Sequence, residues 1–305
     1  MFVDNTTLII PTRNRANSLN NLLNYFDKNK IYFKQFLIID SSDDKKKYKF
    51  NLIKNLKVRI VNTSPSTAKQ RNIGLNLVDR DSKFIMFLDD DINFYQNSFS
   101  NMNQVIKKYE KNEKIAGFAF NLISNKKENT FFKIMKSNLI LRIFDLYPSS
   151  PGKVSGSGWH SAINNVETDT YVQWLFSGAT IYKKKYIGNL KFDENLGIYS
   201  YLEDLFFSYQ IYLQGYKLLV PQSAKFLNSN IVERSNFKFG IKEIINRFKF
   251  VKKFELSILK FLLVSFFRFL LSFSRILIFD IKYFMRSLGN IYAYIKIMFQ
   301  DYDKK

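Results

Sequence analysis

The 305-residue sequence has no cysteine and a single histidine. The lack of cysteine excludes disulfide bonds, zinc–thiolate sites and cysteine nucleophiles, and it agrees with a reducing compartment. Residues 1–15 have an early Asp and only a short apolar run, unlike a secretory signal. Any catalysis must therefore use carboxylates, Arg or Lys side chains, backbone dipoles, or a metal ion with oxygen ligands.

Acidic residues are scarce relative to basic ones. The chain has 47 Lys and Arg against 26 Asp and Glu, which gives a formal net charge of +21. This excess indicates a polyanionic partner, and nucleic acid, an anionic membrane surface and a phosphorylated ligand are all candidates. Because 46% of the residues are hydrophobic and 17% are aromatic, the sequence is too apolar to be a disordered basic tail.

The first 90 residues alternate short apolar runs with helical patterns. The runs are nearly continuous, which is typical of strands covered on both faces of a parallel sheet. A helix is expected over residues 19–26, where Leu and Phe recur with helical spacing, and another from Ser64, with Pro65 at its first helical position. This alternation predicts an α/β fold with a doubly wound, mostly parallel sheet. The four runs are residues 8–11, 36–40, 58–62 and 84–88.

The middle of the chain continues the same alternation. Residues 115–120 and 172–182 are expected to be strands, and residues 131–147 a helix with an aromatic face. Residues 148–158 are rich in Pro, Gly and Ser and predict a mobile loop.

Polar residues follow the predicted strands at the points where the strands end. In an open parallel sheet, ligands bind beyond the carboxyl ends of the strands, so we expect these guanidinium and carboxylate groups to converge at one edge. The residues are Pro11, Thr12, Arg13 and Arg15 after the first run, Asp40 after the second, Arg71 on the helix after the third, and Asp89, Asp90 and Asp91 after the fourth.

The three consecutive aspartates indicate a metal–diphosphate site. Carboxylates crowded at a buried strand end repel one another unless a cation neutralises them. Mg²⁺ or Mn²⁺ is the natural partner, because these hard ions are usually held by one or two carboxylates together with phosphate oxygens. The arginines would then face those phosphates. The alternative is a solvated turn on which the aspartates only cap the following segment.

Two blocks of motifs resemble the family 2 glycosyltransferases of the GT-A fold, which transfer a sugar from a nucleotide donor. The first block is LIIPTRNR, LIID, STAKQRNIGL and FIMFLDDD, in that order. The second, from Trp174 to Leu218, is similar to the acceptor half of the family: a glycine-containing strand, a basic turn, a Phe-Asp-Glu segment and a Glu-Asp pair that opens a helix. Together the blocks cover residues 6 to about 220.

The resemblance implies a nucleotide-sugar donor. Asp40 would hydrogen-bond the base, which favours UDP- or dTDP-sugars, because uracil and thymine are the commonest bases in this family. Arg71 would contact the nucleotide or the diphosphate. The residues that would line the nucleotide pocket beside them are Pro11, Thr12, Arg13 and Arg15.

The resemblance also implies a metal site and a general base. Asp89 and Asp91 match the D-x-D pattern, with Asp91 as the direct metal ligand and Asp89 or Asp90 nearer the ribose. Asp204 of the Glu203–Asp204 pair matches the base that takes the proton from the acceptor hydroxyl, and a single base with in-line displacement gives inversion. The alternative for this pair is an exposed helix N-terminus that is favoured by the helix dipole.

One position departs from the family pattern. Family members often carry a histidine after the acceptor-side strands that is available to the metal or the diphosphate, and Asn228 stands near that place here. The only histidine of the chain, His160, is expected to be a loop or packing residue.

A basic and aromatic segment follows residue 236. Residues 256–279 are long enough to span a bilayer, but Lys260, Arg268 and Arg275 make insertion nearly neutral in free energy. On a helix these charges fall within about 80° of arc beside a wide apolar face, which is typical of a helix lying in the membrane interface. A packed amphipathic helix or dimer face and a true membrane span are the alternatives.

These patterns predict two functional regions. Residues 1–236 are expected to be a GT-A-like catalytic domain, with the nucleotide-sugar-binding half at 1–120 and the acceptor half at 121–236. Residues 237–305 are expected to be an amphipathic helical segment that attaches the protein peripherally to the anionic inner face of the plasma membrane.

The sequence as a whole predicts a cytoplasmic, metal-dependent, inverting glycosyltransferase with a glycan or lipid-linked acceptor, acting in cell-surface polysaccharide synthesis. One alternative is a metal-dependent nucleotidyltransferase on a similar fold, which would release pyrophosphate. Another is a basic nucleic-acid-binding protein. Nucleic acid is not the expected partner, because the sequence has no recognised nucleic-acid motif and part of its basic excess sits in the Phe- and Leu-rich tail.

Overall fold

A large mixed sheet forms the centre of the fold in the computed structural model. The structure describes residues 1–44, 54–124, 138–228, 234–274 and 281–299. Its strands are β1 (Thr6–Thr12), β2 (Gln35–Asp40), β3 (Val58–Asn62), β4 (Phe84–Leu88), β5 (Ile92–Phe94), β6 (Ile115–Ala119), β7 (Asn121–Leu122), β8 (Thr170–Val172), β9 (Ala179–Lys183), β10 (Lys217–Val220) and β11 (Lys225–Asn228).

Eight of these strands form the main sheet, in the order β3-β2-β1-β4-β9-β6-β10-β8. The pairs β3–β2, β2–β1, β1–β4 and β6–β10 are parallel, whereas β9 and β8 run antiparallel to their neighbours. All residues of β1 and β4 are buried, because both faces of these strands are covered. The predicted mixed α/β architecture with a mostly parallel sheet is confirmed.

The helices within the described residues alternate with these strands along the sequence, and the last three follow one another without a strand between them. They are α1 (Ala16–Lys28), α2 (Thr67–Asn76), α3 (Ser98–Lys108), α4 (Leu139–Ile143), α5 (Glu203–Leu213), α6 (Phe237–Lys253), α7 (Ile258–Phe273) and α8 (Ile281–Phe299). Helix α1 buries the Leu and Phe residues that the sequence places on its apolar face. Helix α2 begins later than predicted, because Ser66, rather than Ser64, caps it by accepting a hydrogen bond from the Lys69 amide at 3.3 Å.

The predicted strand over residues 172–182 is two separate strands. Strand β8 is an edge strand paired with β10, whereas β9 lies in the middle of the sheet between β4 and β6. The chain leaves the sheet between them, and Gly178 lies directly before β9, where a Cβ atom would stand 3.1 Å from the Asp89 carboxylate. The apolar pattern of residues 172–182 did not reveal that the chain moves from the edge of the sheet to its centre between these two strands.

Three short strands form a second sheet in the order β5-β11-β7. Strand β5 begins directly after the aspartate triplet, and Asn228 at the end of β11 is the register partner of Ile92, the residue that follows Asp91. The small sheet therefore holds the far end of the triplet close to the end of β11.

The chain packs as two compact units. The first comprises Met1–Asn125 and Ile163–Asn230 and contains both sheets, and the second comprises Lys126–Ala162 and Ile231–Lys305. The two units are defined by packing and do not reveal activity. A catalytic role for residues 1–236 and membrane association of residues 237–305 therefore stay predictions.

The second unit is helical. Its core joins Trp159 to apolar residues of α6, α7 and α8. The guanidinium groups of Arg247 and Arg268 lie 4.0 Å and 3.9 Å from the centroid of the Trp159 ring, at cation–π distance. Of the predicted helix at 131–147, residues 131–137 lie outside the described residues and Leu139–Ile143 are helical.

Residues 148–158 have the loop conformation that their composition predicts, but two of their serines, Ser155 and Ser157, are buried and hydrogen-bonded. Val154 forms a β-bridge with His160, and the Ser157 hydroxyl donates to the Leu146 carbonyl at 2.7 Å. Serine hydroxyls thus satisfy backbone groups that a solvated loop would leave to water.

No helix within the described residues is both long and apolar enough to cross a membrane. Of the three charges predicted to share one side of the segment 256–279, Arg268 stacks on Trp159 and lies 3.9 Å from Glu243, and Lys260 is half-buried. Arg275 lies outside the described residues. At least one of these basic side chains, Arg268, therefore packs inside the helical unit.

Candidate active site

The aspartate triplet lies at the carboxyl end of β4, as the sequence predicts. The Asp89 amide donates to the Gly178 carbonyl at 2.9 Å, which fixes the backbone where β4 ends. The Thr12 hydroxyl, at the end of neighbouring β1, donates to Asp90 Oδ2 at 2.6 Å. Parallel pairing of β1 with β4 brings these two positions to the same edge of the sheet.

Arg15 binds two of the three aspartates. Its Nη1 atom donates to Asp90 Oδ1 at 3.1 Å and to Asp91 Oδ2 at 2.8 Å. Both carboxylates are buried, whereas the Arg15 side chain is 41% exposed. Burial raises the pKa of Asp90 to about 6, and Thr12 and Arg15 oppose this shift. The edge is therefore acidic, crowded and only partly neutralised by the protein.

Asp40 lies at the end of β2, next to the end of β1. Thr12 and Asp40 are register partners, and the carboxylate of Asp40 accepts from the Ser42 amide at 2.9 Å and from the Ser42 hydroxyl at 2.6 Å. Both bonds end on Oδ1, so the loop after β2 holds this buried carboxylate in one orientation.

The other candidates after β1 differ in exposure. Pro11 is buried within the strand, whereas Arg13 is exposed and donates to Asp43 Oδ1 at 2.9 Å. Hydrogen bonds from Asn14 and then from Arg13 lower the pKa of the Asp43 carboxyl. Arg13 thus faces the loop after β2, and Arg15 faces the triplet.

Arg71 is almost completely buried and joins the triplet to the Glu203–Asp204 pair. Its Nη2 atom donates to Asp89 Oδ1 at 2.9 Å, and its Nη1 atom donates to Glu203 Oε1. Only 3% of the Arg71 side chain is exposed. Its guanidinium binds two carboxylates in this structure, and the predicted contact of Arg71 with the nucleotide or the diphosphate stays a prediction.

The Glu203–Asp204 pair opens helix α5. The preceding residue, Leu202, has a left-handed backbone with φ of 79°, which is unfavourable for a branched side chain. Burial raises the pKa of Glu203 to about 7, against the opposing effect of Arg71 and with a smaller contribution from Asp204. The N-terminal turn of a helix therefore presents two carboxylates beside one guanidinium.

Sequence reasoning missed two residues that build the site from α2. Gln70 donates from Nε2 to the carbonyls of Thr12 at 2.9 Å and Ile39 at 2.7 Å, and so ties α2 to the ends of β1 and β2. Asn72 donates to the Phe192 carbonyl at 2.9 Å and accepts from the Phe192 amide at 2.8 Å. Both lie beside Arg71 in the motif STAKQRNIGL, which is the signal that could have identified them.

The carboxylates of Asp89 and Asp91 suit a hard divalent cation whose remaining ligands do not come from the protein. Within the described ranges, no group of three or more His, Cys, Asp or Glu side chains could hold a metal ion. Asp89 and Asp91 flank Asp90 in sequence, and the pKa of Asp90 is raised by burial and, to a smaller extent, by these two carboxylates. A cation held here would take its remaining ligands from phosphate oxygens or water, which is how Mg²⁺ is usually bound.

The only histidine lies in the second unit. Burial, and then Arg247, lower the pKa of His160 well below its ordinary value, so the ring is neutral near pH 7. The Nη1 atom of Arg247 lies 3.3 Å from Nδ1 of this ring.

The sequence model described as "Glycosyl transferase family 2" matches residues 7–166, which is more than half of the chain. The chain belongs to glycosyl transferase family 2. The predicted family is therefore confirmed. Among curated proteins, no sequence matches this chain.

Solved structures with a similar fold are GT-A glycosyltransferases of low sequence identity. The mannosyltransferase PcManGT from Pyrobaculum calidifontis, in complex with GDP-Man and Mn²⁺, is 13% identical with a TM-score of 0.56, and the match covers 99% of this chain and 88% of that one. S. aureus TarS 1-349 is 16% identical with a TM-score of 0.51, covering 95% and 80%.

A further match shares only part of its length with this family 2 chain. The crystal structure of GalNAc-T7 with UDP, GalNAc and Mn²⁺ is 14% identical with a TM-score of 0.52, and the match covers 73% of this chain. This chain spans 43% of the length of that protein. At these identities the similarity establishes the GT-A fold.

Proposed function

We propose that this chain transfers a sugar from a nucleoside diphosphate to a hydroxyl group of a glycan or lipid-linked acceptor, with inversion, in cell-surface polysaccharide synthesis. The observation that supports the proposal is that Asp89 and Glu203 both bind the guanidinium of Arg71. The aspartate triplet, as the proposed diphosphate and metal site, therefore lies close to the helix turn that carries the candidate base Asp204. Family membership supports glycosyl transfer, and two structural neighbours contain Mn²⁺ with GDP-Man or with UDP and GalNAc.

On the donor side, the ends of β1 and β2 form the nucleotide pocket. Asp40, whose Oδ1 is held by Ser42, accepts a hydrogen bond from the base with its other oxygen. Pro11 and Thr12 shape the pocket floor, and the partly exposed Arg15 is placed to reach a diphosphate while it holds Asp90 and Asp91. Arg13 lies at the outer rim.

Asp91, with Asp89, would hold Mg²⁺ or Mn²⁺ against the diphosphate. A bound divalent ion would stabilise the charge that develops on the leaving nucleoside diphosphate. Asp89 is the more exposed of the two carboxylates and is fixed by Arg71, so it is oriented before a ligand arrives. In this scheme Asp90 lies nearer the ribose, and it binds the Thr12 hydroxyl and Arg15.

Asp204 is the proposed general base. An alcohol attacks an anomeric carbon only if its proton has an acceptor within hydrogen-bond reach, and a single carboxylate suffices. Arg71 is a positioning residue in this scheme, because it fixes Glu203 and thereby the first turn of α5 that carries Asp204. With one base and no covalent intermediate, the sugar carbon is inverted.

We also propose that the protein acts at the cytoplasmic face of the plasma membrane, attached peripherally through its helical unit. The net charge of +21 and the Phe- and Leu-rich C-terminal helices support an anionic membrane surface as a partner.

The identity of the released product tests the function. Incubation with UDP-, dTDP- or GDP-sugars, Mn²⁺ and a glycan or lipid-linked acceptor should release the nucleoside diphosphate. Release of pyrophosphate from a nucleoside triphosphate and a sugar 1-phosphate would instead indicate a nucleotidyltransferase. Asp204→Asn should abolish transfer while leaving donor binding intact, and Asp81→Asn, at a side chain that is 86% exposed, is the matched control that should keep both. Near-normal turnover by Asp204→Asn would show that the base is elsewhere.

A further inference from the structure

Helix α7 presents a wholly apolar face to solvent. Seven of its large apolar side chains are between 41% and 69% exposed. At 100° per residue these seven positions fall within about half of the helix circumference. They are Ile258, Leu259, Leu263, Phe266, Phe267, Leu270 and Phe273.

The charges of α7 do not lie on this face. Arg268 is on the opposite side, where it stacks on Trp159 and lies near Glu243, and Lys260 stands at the border of the apolar arc and is half-buried. A run of exposed Leu and Phe without charge is costly in water. The face therefore has the character of a docking surface.

Helix α4 adds a second apolar element beside the start of α7. Leu139, Ile140, Ile143 and Phe144 are all more than half exposed, although α4 lies in sequence far from the C-terminal helices. A short chain of hydrogen bonds holds the two helices together, in which Gly156 donates to Asp145 at 2.7 Å and accepts from the Ser257 amide at 3.0 Å.

The charge of the helical unit identifies the occupant of this surface. Its described residues carry fourteen Lys and Arg side chains against three Asp and Glu side chains. Lys252 and Lys253 at the end of α6 and Lys282 on α8 are exposed. Two copies of so basic a unit would repel each other, whereas an anionic bilayer offers both an apolar interior and attraction for the lysines.

We propose that α4 and the first turns of α7 insert together into the interface of an anionic phospholipid bilayer, so that the attachment is a two-part surface and not the C-terminal segment alone. This inference rests on the peripheral attachment proposed above and names its partner and its residues. Lys153, 3.9 Å from Asp145, and Lys260 lie where phospholipid headgroups would meet the border of this surface.

Vesicle sedimentation with the full-length chain tests the proposal. The probes are vesicles of phosphatidylcholine alone and of phosphatidylcholine with phosphatidylglycerol. The α4 variant carries Leu139→Ser, Ile140→Ser, Ile143→Ser and Phe144→Ser, and the α7 variant carries Leu259→Ser, Leu263→Ser and Phe267→Ser. The matched control, Tyr171→Ser with Leu213→Ser, removes exposed apolar side chains from the first unit.

The wild type and the control should bind the phosphatidylglycerol vesicles, and binding to phosphatidylcholine alone should be weaker. Each of the α4 and α7 variants should bind at least about tenfold more weakly, while circular dichroism shows unchanged helix content. Wild-type binding by the α4 variant would overturn the proposal. So would a wild-type dimer that the α4 variant dissociates, because a second copy would then cover the surface.

The same preparations separate this inference from the proposed function. Nucleotide binding of the α4 variant should equal that of the wild type, since α4 contains no residue of the donor site. Absence of nucleotide binding by the wild type would contradict the glycosyltransferase proposal and leave the vesicle result standing. Absence of vesicle binding by the wild type would contradict the membrane surface proposed here and leave the glycosyltransferase proposal standing.

Discussion

Arg71 and Glu203 are 132 positions apart in sequence, and their side chains are joined by a hydrogen-bonded ion pair in the interior of the protein. The same guanidinium binds Asp89, so one buried arginine connects the strand end that carries the aspartate triplet with the helix that carries Asp204. A single buried cation between two carboxylates is a strong constraint, because removal of the arginine leaves both carboxylates without their cation.

Replacing Arg71 should destabilise the fold as well as the site. Arg71→Ala leaves Asp89 and Glu203 without their cation, and we expect the free energy of unfolding to fall by about 3–5 kcal/mol. Arg59→Ala, at an exposed position on β3, should change it by less than about 0.5 kcal/mol. Denaturant unfolding of both variants measures the difference, and equal small effects would contradict a structural role for the ion pair.

The raised pKa of Glu203 predicts a pH dependence of stability. Burial raises this pKa from its ordinary value of 4.5 to about 7, so the folded chain binds a proton that the unfolded chain has released. The contribution is present below about pH 4.5 and is lost as the pH rises through about 7. Between these values the free energy of unfolding should fall less for Glu203→Gln than for the wild type. Parallel curves for the two proteins would contradict the assignment.

Gly74 allows α2 to approach β1 closely. A Cβ atom at this position would stand 2.4 Å from Cγ2 of Ile9, which is shorter than any normal contact. Gly74→Ala should therefore destabilise the protein by about 1–3 kcal/mol through overpacking, even though alanine is the better helix former. Thermal and denaturant unfolding test this. A more stable variant would mean that α2 shifts away from β1 without cost.

Gly178 is expected to control the position of Asp89. A Cβ atom here would stand 3.1 Å from Asp89 Oδ2, so Gly178→Ala should displace the carboxylate. Mn²⁺-dependent nucleotide binding should weaken about three- to tenfold, on the order of 1 kcal/mol. Isothermal titration of a nucleotide with Mn²⁺ into the wild type, Gly178→Ala and Asp89→Asn measures this change in affinity. Unchanged affinity in Gly178→Ala together with a loss in Asp89→Asn would show that the carboxylate tolerates the displacement.

The strands that form the site could be predicted because their sequence pattern is local. The run ending at Asp40 is buried on both faces, as its continuous apolar composition indicates, and the ends of β1, β2 and β4 follow directly from such runs. The candidates Thr12, Arg15 and the triplet converge as the rule for parallel sheets predicts. Their roles in catalysis stay predictions.

The parts that sequence reasoning missed depend on distant partners. Gln70 and Asn72 bond to backbone groups of residues up to 120 positions away, so nothing next to them in sequence reveals their function. Arg268 has the spacing of a lipid-facing residue, but the face of Trp159 and the carboxylate of Glu243 draw it into the helical unit. Tertiary contacts therefore overrode the local pattern at each of these positions.

We expect the edge formed by Thr12, Arg15 and the aspartate triplet to bind a nucleoside diphosphate together with a divalent cation. Isothermal titration of UDP, dTDP and GDP, with Mn²⁺ and with EDTA, tests it on the wild type and on Asp91→Asn. We expect that at least one nucleotide binds only with Mn²⁺ and that Asp91→Asn weakens this binding at least about tenfold, or about 1.4 kcal/mol. Absence of binding by all three nucleotides, or equal affinity in the variant, would contradict it.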